Sequence, residues 1–145
     1  VLLPLQYIYQ LCKVEIYKKG SVYLKRDLEL IRHILLTLEA SDYSHRVYIE
    51  NFVTDEYSLE TISYHINLLL DCNYIDATPI PIVRCHYIQF NVHRITSQGH
   101  DYLDSIRDDT IWKQTKEKIG NITSSVSLDI VKTVAQKIIL GLIGI

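Results

Sequence analysis

From residue 24 onward the apolar positions fall into runs with the period of a helix, interrupted by shorter runs with the period of a strand. Leu24, Leu28, Ile31, Leu35 and Leu38 recur at three- and four-residue steps, one stripe of a helix that reaches about Ala40. Ser41-Asp42-Tyr43-Ser44 breaks the period, and Val47-Tyr48-Ile49 is a β-prone run expected to form a short edge strand. Ser58 offers an N-cap hydroxyl and Glu60 a first-turn carboxylate for a second helix reaching about Cys72. At about 100° per residue, Leu59, Ile62, Ile66, Leu69 and Leu70 share its buried face, while Glu60, Thr61, Tyr64, Asn67, Leu68 and Asp71 point outward. His65 falls between the faces and is expected to be a hydrogen-bonded boundary residue.

Asn73 tolerates the left-handed conformation that ends many helices, and Pro79 and Pro81 bar a helix from the extended run beginning at Tyr74. Beyond them Ile88, Phe90 and Val92 alternate with Gln89, Asn91 and His93, which predicts a strand burying the first three. Two strands around a proline-containing loop make a hairpin. Thr96 is placed to cap a helix carrying Leu103 and Ile106, and Asp109 a continuation holding Ile111, Trp112 and Ile119 up to Gly120-Asn121. A last helix, from about Ser127, carries Leu128, Val131, Ala135, Ile138, Ile139 and Leu142. The expected fold class is α+β. Residues 24–96 read as a winged helix-turn-helix-like core in the order helix, short strand, helix, β-hairpin wing, with the usual middle helix shortened or lost within residues 50–57. Two C-terminal helices over residues 97–145 are expected to pack on the same domain.

Residues 1–23 stand outside this pattern. The sequence contains no methionine, and Leu24 is read as a UUG initiation codon rendered as leucine. Lys18-Lys19-Gly20 would then encode a purine-rich tract like a ribosome-binding site, with Ser21-Val22-Tyr23 as spacer. The competing reading is a real extension in which Val14-Glu15-Ile16-Tyr17 alternates like a half-buried strand.

Composition narrows the class. Apolar residues at 48% and charged ones at 22% are ordinary globular usage, and 145 residues suit one domain. Cys12, Cys72 and Cys85 match no disulfide framework or paired zinc motif, so a reducing cytoplasm is expected. The formal charge is −2, and −4 once Lys13, Lys18, Lys19 and Glu15 are set aside, the opposite of the basic surface a nucleic-acid binder usually presents. Lys132, Gln136 and Lys137 interrupt the apolar stretch from Leu128 to Ile145, so no membrane span is expected.

Catalytic chemistry finds little support. Cys85-His86 with His93 is the nearest approach to a metal cluster, but adjacent residues on a strand point to opposite faces. A buried cysteine and solvated histidines are expected instead. Asp108-Asp109 suits a helix start better than a metal. No nucleophile elbow or phosphate-cradling loop occurs. No enzyme, cofactor or small-molecule substrate is expected.

Three strings carry a resemblance: Leu24-Lys25-Arg26-Asp27-Leu28-Glu29-Leu30-Ile31, then Ile62-Ser63-Tyr64-His65-Ile66-Asn67-Leu68-Leu69, then the longest, from Ile95-Thr96-Ser97-Gln98-Gly99-His100 through Arg107-Asp108-Asp109-Thr110-Ile111-Trp112. Over nearly all of the chain from Leu24 they resemble the domain-of-unknown-function family numbered 2513, whose opening Met-Lys-Arg-Asp places an initiator at Leu24. The resemblance implies a short phage, prophage or bacterial protein with a winged-helix-like fold and no established activity. Tyr64-His65-Ile66 and Ile95-Thr96-x-x-Gly99-x-x-x-Leu103 also resemble fragments of PadR- and ArsR-type regulators, although Cys72-Asn73-Tyr74 stands where those have Ala-Gly-Leu.

Two functions follow as expectations. In the first, Thr61, Tyr64 and Asn67 meet a major groove of double-stranded DNA, Arg84 and His86 act from the wing, and Lys25, Arg26 and Arg46 touch phosphates, with Glu60 and Asp71 opposing. In the second, the fold binds a phage or host protein or a second copy of itself, through Tyr64 and Leu68 and through the apolar tail carrying Ile138, Ile139 and Leu142. Analogy of fold places DNA slightly ahead. A continuous positive patch around Tyr64 and Arg84 would favour DNA, and an apolar or acidic one a protein partner.

Overall fold

The computed structural model of the chain describes residues 24–145. The expectations for residues 1–23, an untranslated leader or a strand, lie outside the described residues. Among the described residues, five α-helices and a three-stranded antiparallel sheet form two compact units that divide between Thr96 and Ser97.

The first unit begins with α1, Leu28–Glu39. Asp27 is its N-cap in an extended conformation, and Asp27 Oδ1 accepts from the amides of Glu29 (2.9 Å) and Leu30 (3.1 Å). This cap puts Leu24 ahead of the helix and 73% exposed, which corrects its place on the buried stripe. The face that packs is Leu30, Ile31, Ile34, Leu35 and Leu38. Strand β1 is the two-residue Val47–Tyr48, and a 3-10 turn, Ile49–Phe52, follows at once, burying Ile49 and Phe52. The turn stands where a shortened middle helix was expected.

Helix α2 spans Leu59–Asp71, with Ser58 Oγ accepting from the Thr61 amide. Asn73 at φ 58° ends it as the sequence indicates. The Asn73 amide donates to the Leu70 carbonyl and the Tyr74 amide to that of Leu69, both at 2.9 Å, the paired bonds that close a helix around a left-handed residue. Strands β2, Ile75–Ile80, and β3, Gln89–Ile95, pair antiparallel, and the sheet order is β1-β3-β2. A bulge at Asp76/Ala77 shifts the register.

Strand β3 departs from its expected faces at one end. Ile88 precedes the strand and is 49% exposed, while Gln89 is 1% exposed. Gln89 is held inward because its side chain satisfies backbone groups: Oε1 accepts from the Ile49 and Phe90 amides, and Nε2 donates to Glu50 Oε1 at 2.6 Å. Phe90 and Val92 are buried as expected.

The second unit consists of α3, Ser97–Ile106, α4, Asp109–Gly120, and α5, Leu128–Ile143, each packing on the other two. Tyr102, Leu103, Ile106, Trp112, Val131 and Ala135 make its centre. The two expected helices are three, because Asp108 is extended (φ −68°, ψ 130°) and accepts from the Ile111 amide at 2.9 Å. Asp108, not Asp109, is therefore the cap. Ser127 caps α5 as expected.

Candidate functional site

Contacts to backbone on two sides position the open face of α2. On one side, Ser63 Oγ donates to the Ile88 carbonyl at 2.6 Å and accepts from the Ile88 amide at 3.2 Å, which ties the start of β3 to the helix. On the other, Tyr64 donates its hydroxyl to the Leu24 carbonyl at 3.3 Å, and the Asp27 amide donates to His65 Nε2 at 2.8 Å. The segment entering α1 thus lies along α2. Exposed Lys25 and Arg26 are brought beside Tyr64.

The remaining DNA candidates are less well gathered. Thr61 is half-buried, with Oγ1 3.1 Å from Ser58 Oγ and its carbonyl 2.8 Å from His65 Nδ1. Asn67 is exposed on the open face. Arg84 (φ 67°) and His86 are exposed in the hairpin loop. Arg46 precedes Val47, which pairs with Val92, so it sits toward the end of the hairpin away from Arg84. No lysine or arginine lies on α2 itself, whereas Glu60 and Asp71 do. Over residues 24–96 six lysines and arginines face ten aspartates and glutamates, and one of the six, Arg94, is paired with Asp76 at 2.7 Å.

The hairpin loop is apolar as well as cationic. Val83 is 86% exposed, and Pro79, Pro81 and Ile88 are also exposed. Leu68 on α2 is half-buried. In the second unit Ile138 is buried, which corrects its assignment to a partner surface, because that side of α5 packs on α3 and α4. Ile139 is half-buried and Leu142 is 71% exposed, with Ile143 and Ile145 exposed beside it. Ile139 and Leu140 line a groove of about 570 Å³ with Asp101, Asp104, Ser105, Lys132 and Gln136.

Electrostatic perturbation concentrates at α1 and its neighbours. Burial pushes His65 below the ordinary imidazole value, so the ring is neutral. It is fully buried, not at the boundary expected for it. Tyr57 donates to Asp27 Oδ2 at 3.1 Å, and burial reinforced by the Asp27 charge raises its phenol. Cys72 is half-buried and not disulfide-bonded, and Cys85 in the hairpin loop is half-buried where a buried cysteine was expected. Among the described residues no three histidines, cysteines or carboxylates group to hold a metal, and no helix is long and apolar enough to cross a membrane.

Residues 25–126 match the protein family described as Hypothetical protein (DUF2513). The chain belongs to this family. An uncharacterized protein of Haemophilus influenzae (strain ATCC 51907 / DSM 11121 / KW20 / Rd) is 37% identical over 116 residues, which cover 80% of this chain and 96% of the relative. No solved structure matches. The DUF2513 match spans the whole of the first unit's described elements and extends through α4. Sequence reading missed the anchoring roles of Ser63 and Gln89 in this DUF2513 chain; a serine on an otherwise apolar helix stripe was the available signal for the first.

Proposed function

We propose that residues 24–96 form a winged helix that serves as a protein-binding module, with the hairpin loop and the open face of α2 as its contact surface. The order helix, short strand, 3-10 turn, helix, hairpin and the sheet order β1-β3-β2 support the winged-helix reading. The observation that carries the function is the hairpin loop, where Val83 stands 86% exposed, in a unit whose α2 bears Glu60 and Asp71 and no cation. Exposed apolar side chains in and beside the loop, Val83, Pro79, Pro81 and Ile88, favour a protein surface, and half-buried Leu68 adds apolar area on α2. Duplex DNA would instead have to approach a unit with an excess of carboxylates and few cations to release counterions.

One observation favours the second reading, duplex DNA binding: Tyr64 holds Leu24, and with it Lys25 and Arg26, next to the face that carries Asn67. Titration of labelled phage and host promoter duplexes at low salt separates the two. The protein-binding reading expects no saturable binding. Salt-sensitive binding that weakens for all duplexes in Arg84→Ala and loses sequence preference in Asn67→Ala would replace it with the DNA reading.

The exposed end of α5, Leu142 with Ile143 and Ile145, is a second apolar surface and extends the proposal to self-association. Solution mass of the full chain and of Leu142→Asp tests this, the proposal requiring a concentration-dependent dimer that the substitution weakens.

A further inference from the structure

We propose that His65 is a proton-operated clasp, whose neutral imidazole pins the segment Leu24–Arg26 to α2 and whose protonation releases it. The hydrogen bonds fix the ring's state. A backbone amide can only donate, so His65 Nε2, 2.8 Å from the Asp27 nitrogen, is the acceptor. A backbone carbonyl can only accept, so Nδ1, 2.8 Å from the Thr61 oxygen, carries the proton. Both ring nitrogens are thereby used by one neutral tautomer in a fully buried site. The Tyr64 ring stands edge-on to the imidazole, 5.6 Å between centroids, and its hydroxyl holds the Leu24 carbonyl.

Taking a proton from solvent onto Nε2 turns the acceptor into a donor that faces the Asp27 N–H. Two donors cannot share that contact, and burial gives neither an alternative in water. The charges acting on the ring are Asp27, which favours the cation, and Arg26, which opposes it; both come from the segment entering α1. The Asp27 carboxylate is committed elsewhere, Oδ1 capping α1 and Oδ2 accepting from Tyr57, so turning it toward a new N–H would disturb those bonds. Protonation therefore moves the Asp27 amide off the imidazole, and the two residues before it, Lys25 and Arg26, move with it. The inference stands apart from the identity of any partner, since it concerns the free chain.

The test is a nuclear magnetic resonance titration of the full chain from neutral to mildly acidic pH, with the carbon-bound ring protons of His65 reporting its own midpoint. The expected result is an Nδ1–H tautomer at neutral pH, a midpoint below that of an ordinary histidine, and, at the same midpoint, shifts at the amides of Asp27, Arg26 and Lys25 with loss of exchange protection at that of Asp27. His65→Gln keeps an acceptor and cannot titrate, so in it those amides are expected to be insensitive to pH over the same range. An Asp27 amide that stays protected while His65 titrates overturns the proposal, as does the same acid response in His65→Gln. If that variant does not fold, the titration of the unaltered chain decides alone.

Discussion

Ser63 and Ile88 are joined by a reciprocal pair of hydrogen bonds, with the serine hydroxyl donating to the isoleucine carbonyl at 2.6 Å and accepting from its amide at 3.2 Å. The pair lies between α2 and the entry to β3, and Ser63 itself is buried. Ser63→Ala leaves a backbone donor and acceptor without this partner, and the expected cost is about 1–3 kcal/mol of unfolding free energy. Chemical denaturation measures it. A change within about 0.5 kcal/mol, the range of an ordinary surface substitution, would mean the pair does not hold the hairpin.

Asp27 serves two purposes with one carboxylate, capping α1 through Oδ1 and accepting from Tyr57 through Oδ2. Asparagine caps about as well as aspartate. Asp27→Asn is therefore expected to leave stability nearly unchanged while the Tyr57 phenol, raised by burial and then by this charge, titrates at lower pH. Ring resonances of Tyr57 followed into alkali report the result, and an unmoved titration would remove Asp27 as a cause.

The helices, the hairpin and most of the core were legible because periodicity reports which side chains leave water, and α2 shows this most clearly: Leu59, Ile62, Ile66 and Leu69 are buried as their spacing dictates. Capping was legible at Ser58 and, to within a residue, at Asp108, whereas Asp27, the cap of α1, was not read as one. Asp108 and Asp109 are chemically equivalent choices, and the backbone at Arg107-Asp108 decides between them. What periodicity cannot reveal is a polar side chain buried to satisfy backbone at a distance. Gln89, Ser63 and His65 all fall in that class, each bonding to groups 25 or more residues away. The functional residues were proposed as an open helix face, but whether Lys25 and Arg26 join that face depends on the Tyr64 contact with Leu24, a pairing across 40 residues.

The cap assignment yields its own test. Asp108→Ala is expected to cost about 1 kcal/mol, because the Ile111 amide loses its acceptor at 2.9 Å, whereas Asp109→Ala removes a first-turn charge worth a few tenths to about 1 kcal/mol and leaves that cap in place. Thermal unfolding of the two variants ranks them. The reverse order would restore Asp109 as the cap.

Glu50 supplies a pH dependence of definite sign. Burial raises its carboxyl above the ordinary 4.5 despite the hydrogen bond from Gln89 Nε2. The folded chain then holds a proton that the unfolded chain releases at 4.5, so this contribution is complete below that pH and is lost as pH rises through the raised native value. His65 acts oppositely, since its lowered value makes stability fall as pH drops below the ordinary 6.5. Relative to the unaltered chain, Glu50→Gln is expected to gain stability as pH increases past 4.5 and then to level off. Denaturation midpoints across that window check it, and a difference independent of pH would contradict the burial of Glu50 as the cause.

The nature of the partner is tested most directly at Val83. A photo-crosslinking residue placed there, in the full chain produced in its native cell, is predicted to give discrete protein adducts that survive nuclease, while the same residue at exposed Ala40 gives none. Adducts from Val83 that nuclease removes would contradict the protein-binding reading and establish nucleic acid as the ligand, and equal labelling from both positions would show that the hairpin loop is not a contact surface.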